Sequence, residues 1–125
     1  MGKISELKSW QECSATYILA VNDTINVING KWKAAIISSL FFGKKRYGEL
    51  EKDIPKITPR MLSKELRDLE ANGIVTRTVH DTIPVTVQYE LTESGYAFRK
   101  VLDVMLDWGI EHRNKTLKNN EKKKS

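Results

Sequence analysis

A chain of 125 residues with 40% hydrophobic and 30% charged residues has the size of one domain and enough apolar material for a core, which excludes wholesale disorder. Its longest apolar stretch, Ala34–Ile37 followed after two serines by Leu40–Phe42, is far short of the ~18 residues a membrane span needs, and Met1-Gly2-Lys3-Ile4-Ser5-Glu6 holds no apolar signal region. The expectation is a soluble, cytoplasmic protein that no membrane holds. Its net charge of +5 is concentrated, because residues 31–67 carry ten bases against four acids while the flanking stretches nearly balance. That block reads either as the footprint of a polyanion or as a solvated lysine-rich face.

Taken in chain order, the N-terminal segment supplies Ile4, Leu7, Trp10, Tyr17, Ile18 and Leu19, apolar residues with no obvious place in a small core. Cys13 is the only cysteine, so an intramolecular disulfide and a cysteine-based zinc site are excluded. A short helix over Val21–Ile28 ends at Asn29-Gly30, and a second from about Lys31 to Phe42 carries the stripe Trp32, Ala35, Ile36, Ser39 and Leu40. A third spans about Tyr47–Asp53, with Tyr47, Leu50 and Ile54 inward and Pro55 closing it. Thr58 then caps a fourth, with Pro59 at its first position, and Asn72-Gly73 stops it. Its apolar stripe of Met61, Leu62, Leu66 and Leu69 is interrupted by Glu65, and its other face presents Arg60, Lys64 and Arg67 with Ser63 beside them.

Past Gly73 the period changes. Ile74–Val79 is rich in β-branched residues, and Val85–Leu91 alternates apolar with polar, which predicts two strands around an exposed tip at His80–Pro84. Thr92–Gly95 opens a long helix to about Thr116, whose Phe98, Val101, Leu102, Met105, Leu106, Trp108 and Ile110 are more than one small domain can cover. The last eight residues, 118–125, are basic and read as a disordered tail, leaving 1–117 as a single domain. The fold class is mainly α with a small antiparallel hairpin.

The last three of these helices, the hairpin and the final helix follow the chain order of a winged helix-turn-helix, in which the helix after the turn (about 58–72) enters the major groove and the wing (about 79–86) reaches the adjacent backbone or minor groove. The charges fall where that reading needs them. Lys44, Lys45 and Arg46 precede the third helix, Arg60, Lys64 and Arg67 line the fourth, and Thr58, Pro59 and Ser63 sit at its N-terminal end; His80 and Thr86 flank the wing. Arg60 is nearest the helix N-terminus and is the best placed to bridge a guanine edge.

Gly30-Lys31-Trp32-Lys33, Lys45-Arg46-Tyr47-Gly48-Glu49-Leu50, Ile54–Ser63, Leu66–Val75 and Val87–Thr92 with Gly95 together resemble the successive signatures of HxlR-type bacterial transcriptional regulators, over roughly residues 19–108. The resemblance implies a dimeric DNA-binding repressor or activator. Family members often carry Cys-Pro about eleven residues before the Gly-Lys-Trp motif; this chain has Leu19-Ala20 there, with Cys13 six residues earlier as the only thiol for redox chemistry. A base common in the second wing strand is replaced by Thr86.

Double-stranded DNA, as an inverted-repeat operator, is thus the expected partner of a homodimer built from the terminal helices through Trp10, Tyr17, Ile18, Val101, Met105 and Trp108. Two other classes compete. A winged helix that binds only proteins would present acidic or apolar residues on its fourth helix, and this one is basic. Asp103, Asp107 and Glu111 share a helix face, but they lack a nearby nucleophile, and no phosphate loop, metal or cofactor motif accompanies them. No enzyme is expected.

Overall fold

The computed structural model describes residues 14–124, with side chains over 15–121. The elements are α1 (Ser14–Val27), α2 (Lys33–Leu40), β1 (Lys45–Arg46), α3 (Tyr47–Asp53), α4 (Pro59–Ala71), β2 (Val75–His80), β3 (Thr86–Leu91), α5 (Glu93–Ala97) and α6 (Arg99–Lys124). The three strands pair antiparallel in the order β1-β3-β2, with Lys45 opposite Tyr89 and Arg77 opposite Tyr89 on its other side.

Local chemistry sets the ends of α4. The Thr58 hydroxyl accepts from the Met61 N–H at 3.2 Å, and Pro59 loses nothing at a position whose N–H has no helical partner. At the other end Gly73 takes φ +74°, which lets the Ile74 N–H turn back to the Leu69 carbonyl at 2.9 Å. The chain leaves directly into β2. Leu62, Leu66 and Leu69 thereby meet Ile36, Ile37, Leu40 and Leu50 in a fully buried cluster that Ile54, Ile74, Val75, Tyr89, Leu91 and Phe98 complete. Each such aliphatic side chain contributes about 1.5–3 kcal/mol of burial.

Several expectations are corrected. The buried side of α2 is Lys33, Ile36, Ile37 and Leu40, with Ala35 exposed and Ser39 only half-buried, because Lys33 turns inward to meet two carboxylates. Met61 is exposed rather than core. Helix α1 begins seven residues before the expected start at Val21. The long C-terminal helix is broken at Phe98, which turns into the core, so that only Phe98 and Leu102 of its apolar residues join the body of the domain; Met105 and Leu106 do not. Beyond that break α6 runs to Lys124, about 39 Å at 1.5 Å per residue. The strand β1 was not legible at two residues.

Gly95 fixes how this C-terminal arm leaves the sheet. Thr92 caps α5 by accepting from the Gly95 N–H at 3.1 Å while its own hydroxyl donates to the Gly73 carbonyl at 2.6 Å. A Cβ on residue 95 would stand 2.4 Å from the Ile74 carbonyl oxygen and 3.0 Å from a Leu91 methyl. Backbone is what would have to move. Gly95→Ala should therefore lower stability by about 1–3 kcal/mol, the range for overpacking a close-packed site, measured as a urea midpoint shift at unchanged slope. A midpoint equal to the wild type would contradict this account of the junction.

Candidate nucleic-acid interface

The helix-turn-helix is α3, the turn Ile54–Thr58, and α4. Lys56 holds φ +71° in that turn, a left-handed conformation that few non-glycine residues adopt. Tyr47 locks the two helices together, donating its hydroxyl to the Pro59 carbonyl at 2.6 Å and lying 3.1 Å from Ser63 Oγ. The phenol anchors the start of α4 from the side of α3. It is a support for the exposed residues, and Ser63 is half-buried beneath it.

The exposed flank of α4 is cationic. Arg60, Lys64 and Arg67 stand in solvent, one to two turns apart, and none has an ion-pair partner among the described residues. Beside Arg67, strand β2 contributes Arg77, a residue the sequence reading missed. Ser63, Leu66, Arg67, Glu70, Arg77 and Tyr89 line an open cleft of about 380 Å³ between α4 and the sheet. The signal for Arg77 was available: in β2 it shares the period-two face of Val75, which packs into the core beside α4.

The wing residues fall elsewhere. Lys44, Thr78, His80, Gln88 and Glu90 line a small hollow on the other face of the hairpin, where His80 Nε2 lies 2.8 Å from Gln88 Oε1 and Thr86 is opposite His80 in register. His80 and Thr86 thus sit on the sheet face turned away from α4, and His80 is half-buried rather than at the tip. The tip is Asp81–Val85, all exposed, with Ile83 outermost. Arg46 precedes α3, exposed, and its backbone N–H donates to Glu49 Oε1 at 3.1 Å.

Two bases of the cationic block are spent internally. Lys45, expected among the phosphate contacts, pairs with Asp53 and donates to Ser39 Oγ at 3.1 Å, with Phe42 against its ammonium. Hydrogen bonds from Lys45 and Ser39 hold the Asp53 carboxyl below its usual range. That link is present at neutral pH and is lost as pH falls through the lowered value. Lys33 lies buried against Glu65 at 2.8 Å and Asp68 at 3.3 Å. Burial pulls its ammonium down, yet the hydrogen bonds and charges of both carboxylates outweigh that and leave it above the usual lysine value. This link is complete below the ordinary lysine range and disappears only as pH rises through the raised value.

Of the expected dimer residues, Tyr17, Ile18, Val101, Met105 and Trp108 are on the surface, Trp108 at 66% exposure and stacked on His112 with ring centroids 4.7 Å apart. Trp10 and Cys13 lie outside the described residues. No group of histidine, cysteine or acidic residues that could hold a metal, and no helix long and apolar enough to cross a membrane, occurs among the described residues.

A tri-helical core, a capped helix with an unpaired basic flank and an antiparallel hairpin define a winged helix-turn-helix protein of the DNA-binding regulator class. Residues 27–117 match the model of the HxlR-like helix-turn-helix family, and the chain belongs to that family. It is 43% identical over 99 residues to the HTH-type transcriptional regulator YtcD of Bacillus subtilis, covering 79% of each chain. Among solved structures it is similar to the redox regulator HypR in its reduced form (TM-score 0.70, 42% identity, 75% of this chain and 93% of that one). It is also similar to a transcriptional regulator of the MarR family from Enterococcus faecalis V583 (TM-score 0.74, 32% identity, 94% of this chain and 99% of that one). The chain is a transcriptional regulator by family, and its relatives carry regulatory rather than enzymatic names.

Proposed function

We propose that the protein works as a two-fold homodimer that reads an inverted-repeat operator, with α4 in the major groove and the wing on the flanking backbone or minor groove. The observation that carries this reading is the exposed row Arg60, Lys64 and Arg67 on a helix whose opposite side is buried with the core. Arg60 is the base reader, through its fork of N–H donors to guanine O6 and N7. Lys64, Arg67, Arg77, Arg46 and Lys44 neutralise phosphate, and Thr58, Pro59 and Ser63 form the N-terminal end that approaches the groove. Lys45 and Tyr47 support the motif from within, and His80 and Thr86 belong to the wing's outer face. Cys13, the single cysteine of the sequence, is the one thiol available for a redox response.

The apolar faces of α1 and α6 supply the dimer. Of α1 only Val27 packs against the core, while Ile18, Leu19, Val21 and Ile25 are exposed on the same helix as Tyr17. Along α6, Val101, Val104, Met105, Leu106, Trp108 and Ile110 are exposed, with Leu117 further on. Burying both sets against their symmetry mates removes a patch too apolar for water and makes the function follow from symmetry. Two recognition helices then meet half-sites ~34–36 Å apart or a multiple of it.

Selection of the protein's preferred sequence from a random DNA pool should return an inverted repeat with guanine in each half-site. On that sequence Arg60→Ala should cost about 1–3 kcal/mol per contacted base and flatten discrimination at one position. An unchanged affinity for Arg60→Ala would remove this face from base reading.

A further inference from the structure

We infer that Lys33 is a positioning residue for DNA recognition: it fixes the angle and register of α4 against the α1–α2 turn, and so sets which sequences the dimer accepts. The inference rests on the reading of α4 as the recognition helix. Lys33 opens α2 at 7% exposure, within the Gly30-Lys31-Trp32-Lys33 run. Its three N–H donors have three acceptors, Glu65 Oε2 at 2.8 Å, Asp68 Oδ2 at 3.3 Å and the Asn29 carbonyl at 3.3 Å. An ammonium has no more donors to give. Glu65 stands in the middle of the buried stripe of α4, 8% exposed, between leucines that pack onto the same α2 face.

The geometry matters because of what the remaining contacts lack. Leu62, Leu66 and Leu69 hold α4 to the core by burial, which is non-directional and tolerates sliding or rolling of one helix on another. A buried ammonium shared by two carboxylates and a carbonyl tolerates neither, since any roll leaves a charge unpaired in low dielectric. Asn29 lies just past the end of α1, an element of the proposed dimer. The same ammonium therefore ties the dimer arm to the helix that carries Arg60, Lys64 and Arg67, and any error in that tie appears twice in a two-fold complex.

The test separates positioning from simple support. Lys33→Met/Glu65→Leu replaces the pair by apolar groups of similar size, a change that buried ion pairs commonly tolerate, and it leaves the net charge unchanged, so general attraction to phosphate is preserved. The readout is the ratio of affinities for the selected operator and for random-sequence DNA of equal length at one salt concentration. Alongside it run the thermal midpoint and binding to operators whose half-site spacing differs by one base pair.

The double variant should fold, bind random DNA within about twofold of the wild type, and lose roughly tenfold or more in the ratio, with weaker rejection of altered spacing. Asp68→Asn, which removes one half-exposed arm and keeps the buried Lys33–Glu65 pair, provides the second variant should the first not fold, and should lose about threefold in the ratio. A folded variant with the wild-type ratio and spacing preference overturns the inference and leaves the recognition helix standing. A wild-type protein with no sequence preference at all overturns the recognition reading and this inference with it.

Discussion

Raising the salt from 50 to 200 mM should weaken operator binding by about 10³–10⁵-fold, the loss that accompanies 6–10 phosphate contacts. The estimate comes from which bases are free. Lys44, Arg46, Arg60, Lys64, Arg67 and Arg77 are exposed in each protomer, and a dimer that uses half of them against phosphate reaches that range. Each such contact releases condensed counterions and contributes a log–log slope of about −0.9. Arg77→Ala should flatten the slope by about two for the dimer, one contact in each protomer. Lys45→Ala should leave the slope unchanged, because its ammonium is held by Asp53 and Ser39. Fluorescence anisotropy of labelled operator across a salt series decides the matter, and an affinity insensitive to salt would contradict the basic face as a DNA surface.

The second large effect belongs to the dimer. Trp108→Glu should raise the dissociation constant of the dimer by about 10³-fold, since a buried tryptophan anchor is worth about 2 kcal/mol or more and two-fold symmetry counts the loss twice. The side chain lies on the α6 face of Val101, Val104 and Met105, all exposed in the protomer, and a carboxylate placed there brings a charge that the interface has no partner for. The winged core should survive the change, because α6 contributes only Leu102 to the packing around it and Phe98 precedes the helix. Sedimentation velocity should therefore show a folded monomer with weak operator binding. A Trp108→Glu protein that sediments and binds like the wild type removes this residue from the interface, and a wild-type monomer at micromolar concentration removes the dimer.

What the sequence made legible was local. Thr58-Pro59 at a helix start, Asn72-Gly73 at its end and the strict alternation of Val85–Leu91 each state their structure within a few residues, and each is found where that chemistry puts it. Pairing over distance was not legible. Lys33 reads as one more surface lysine of a basic block, and Glu65 as an interruption of an apolar stripe, until the fold closes their separation of 32 positions. A signal was present all the same: an acid at a core position of one helix requires a buried base, and Lys33, one turn before Ile36 and Ile37, was available to supply it.

Lys45 escaped for the complementary reason. Nothing in the run Lys44-Lys45-Arg46 distinguishes the middle residue, but the antiparallel pairing of β1 with β3 turns it inward toward Asp53 and leaves its neighbours exposed. The hairpin's two faces hid Arg77 and over-weighted His80: Arg77 lies on an expected strand, His80 ends β2 instead of opening the tip, and only the position of α4 decides which face lies beside the basic helix. The length of α6 beyond Thr116 was unreadable because a polar, lysine-rich helix carries no apolar period.

If α4 reads bases in the major groove, guanine methylation interference on the selected operator reveals it. Methylation at guanine N7 blocks the major-groove acceptor that Arg60 would use, whereas adenine N3 methylation blocks the minor groove. N7 methylation of one guanine in each half-site should abolish binding by the wild type, and Arg60→Ala should become indifferent to that same guanine. Interference confined to minor-groove positions, or an N7 pattern identical for wild type and Arg60→Ala, would contradict base reading by α4.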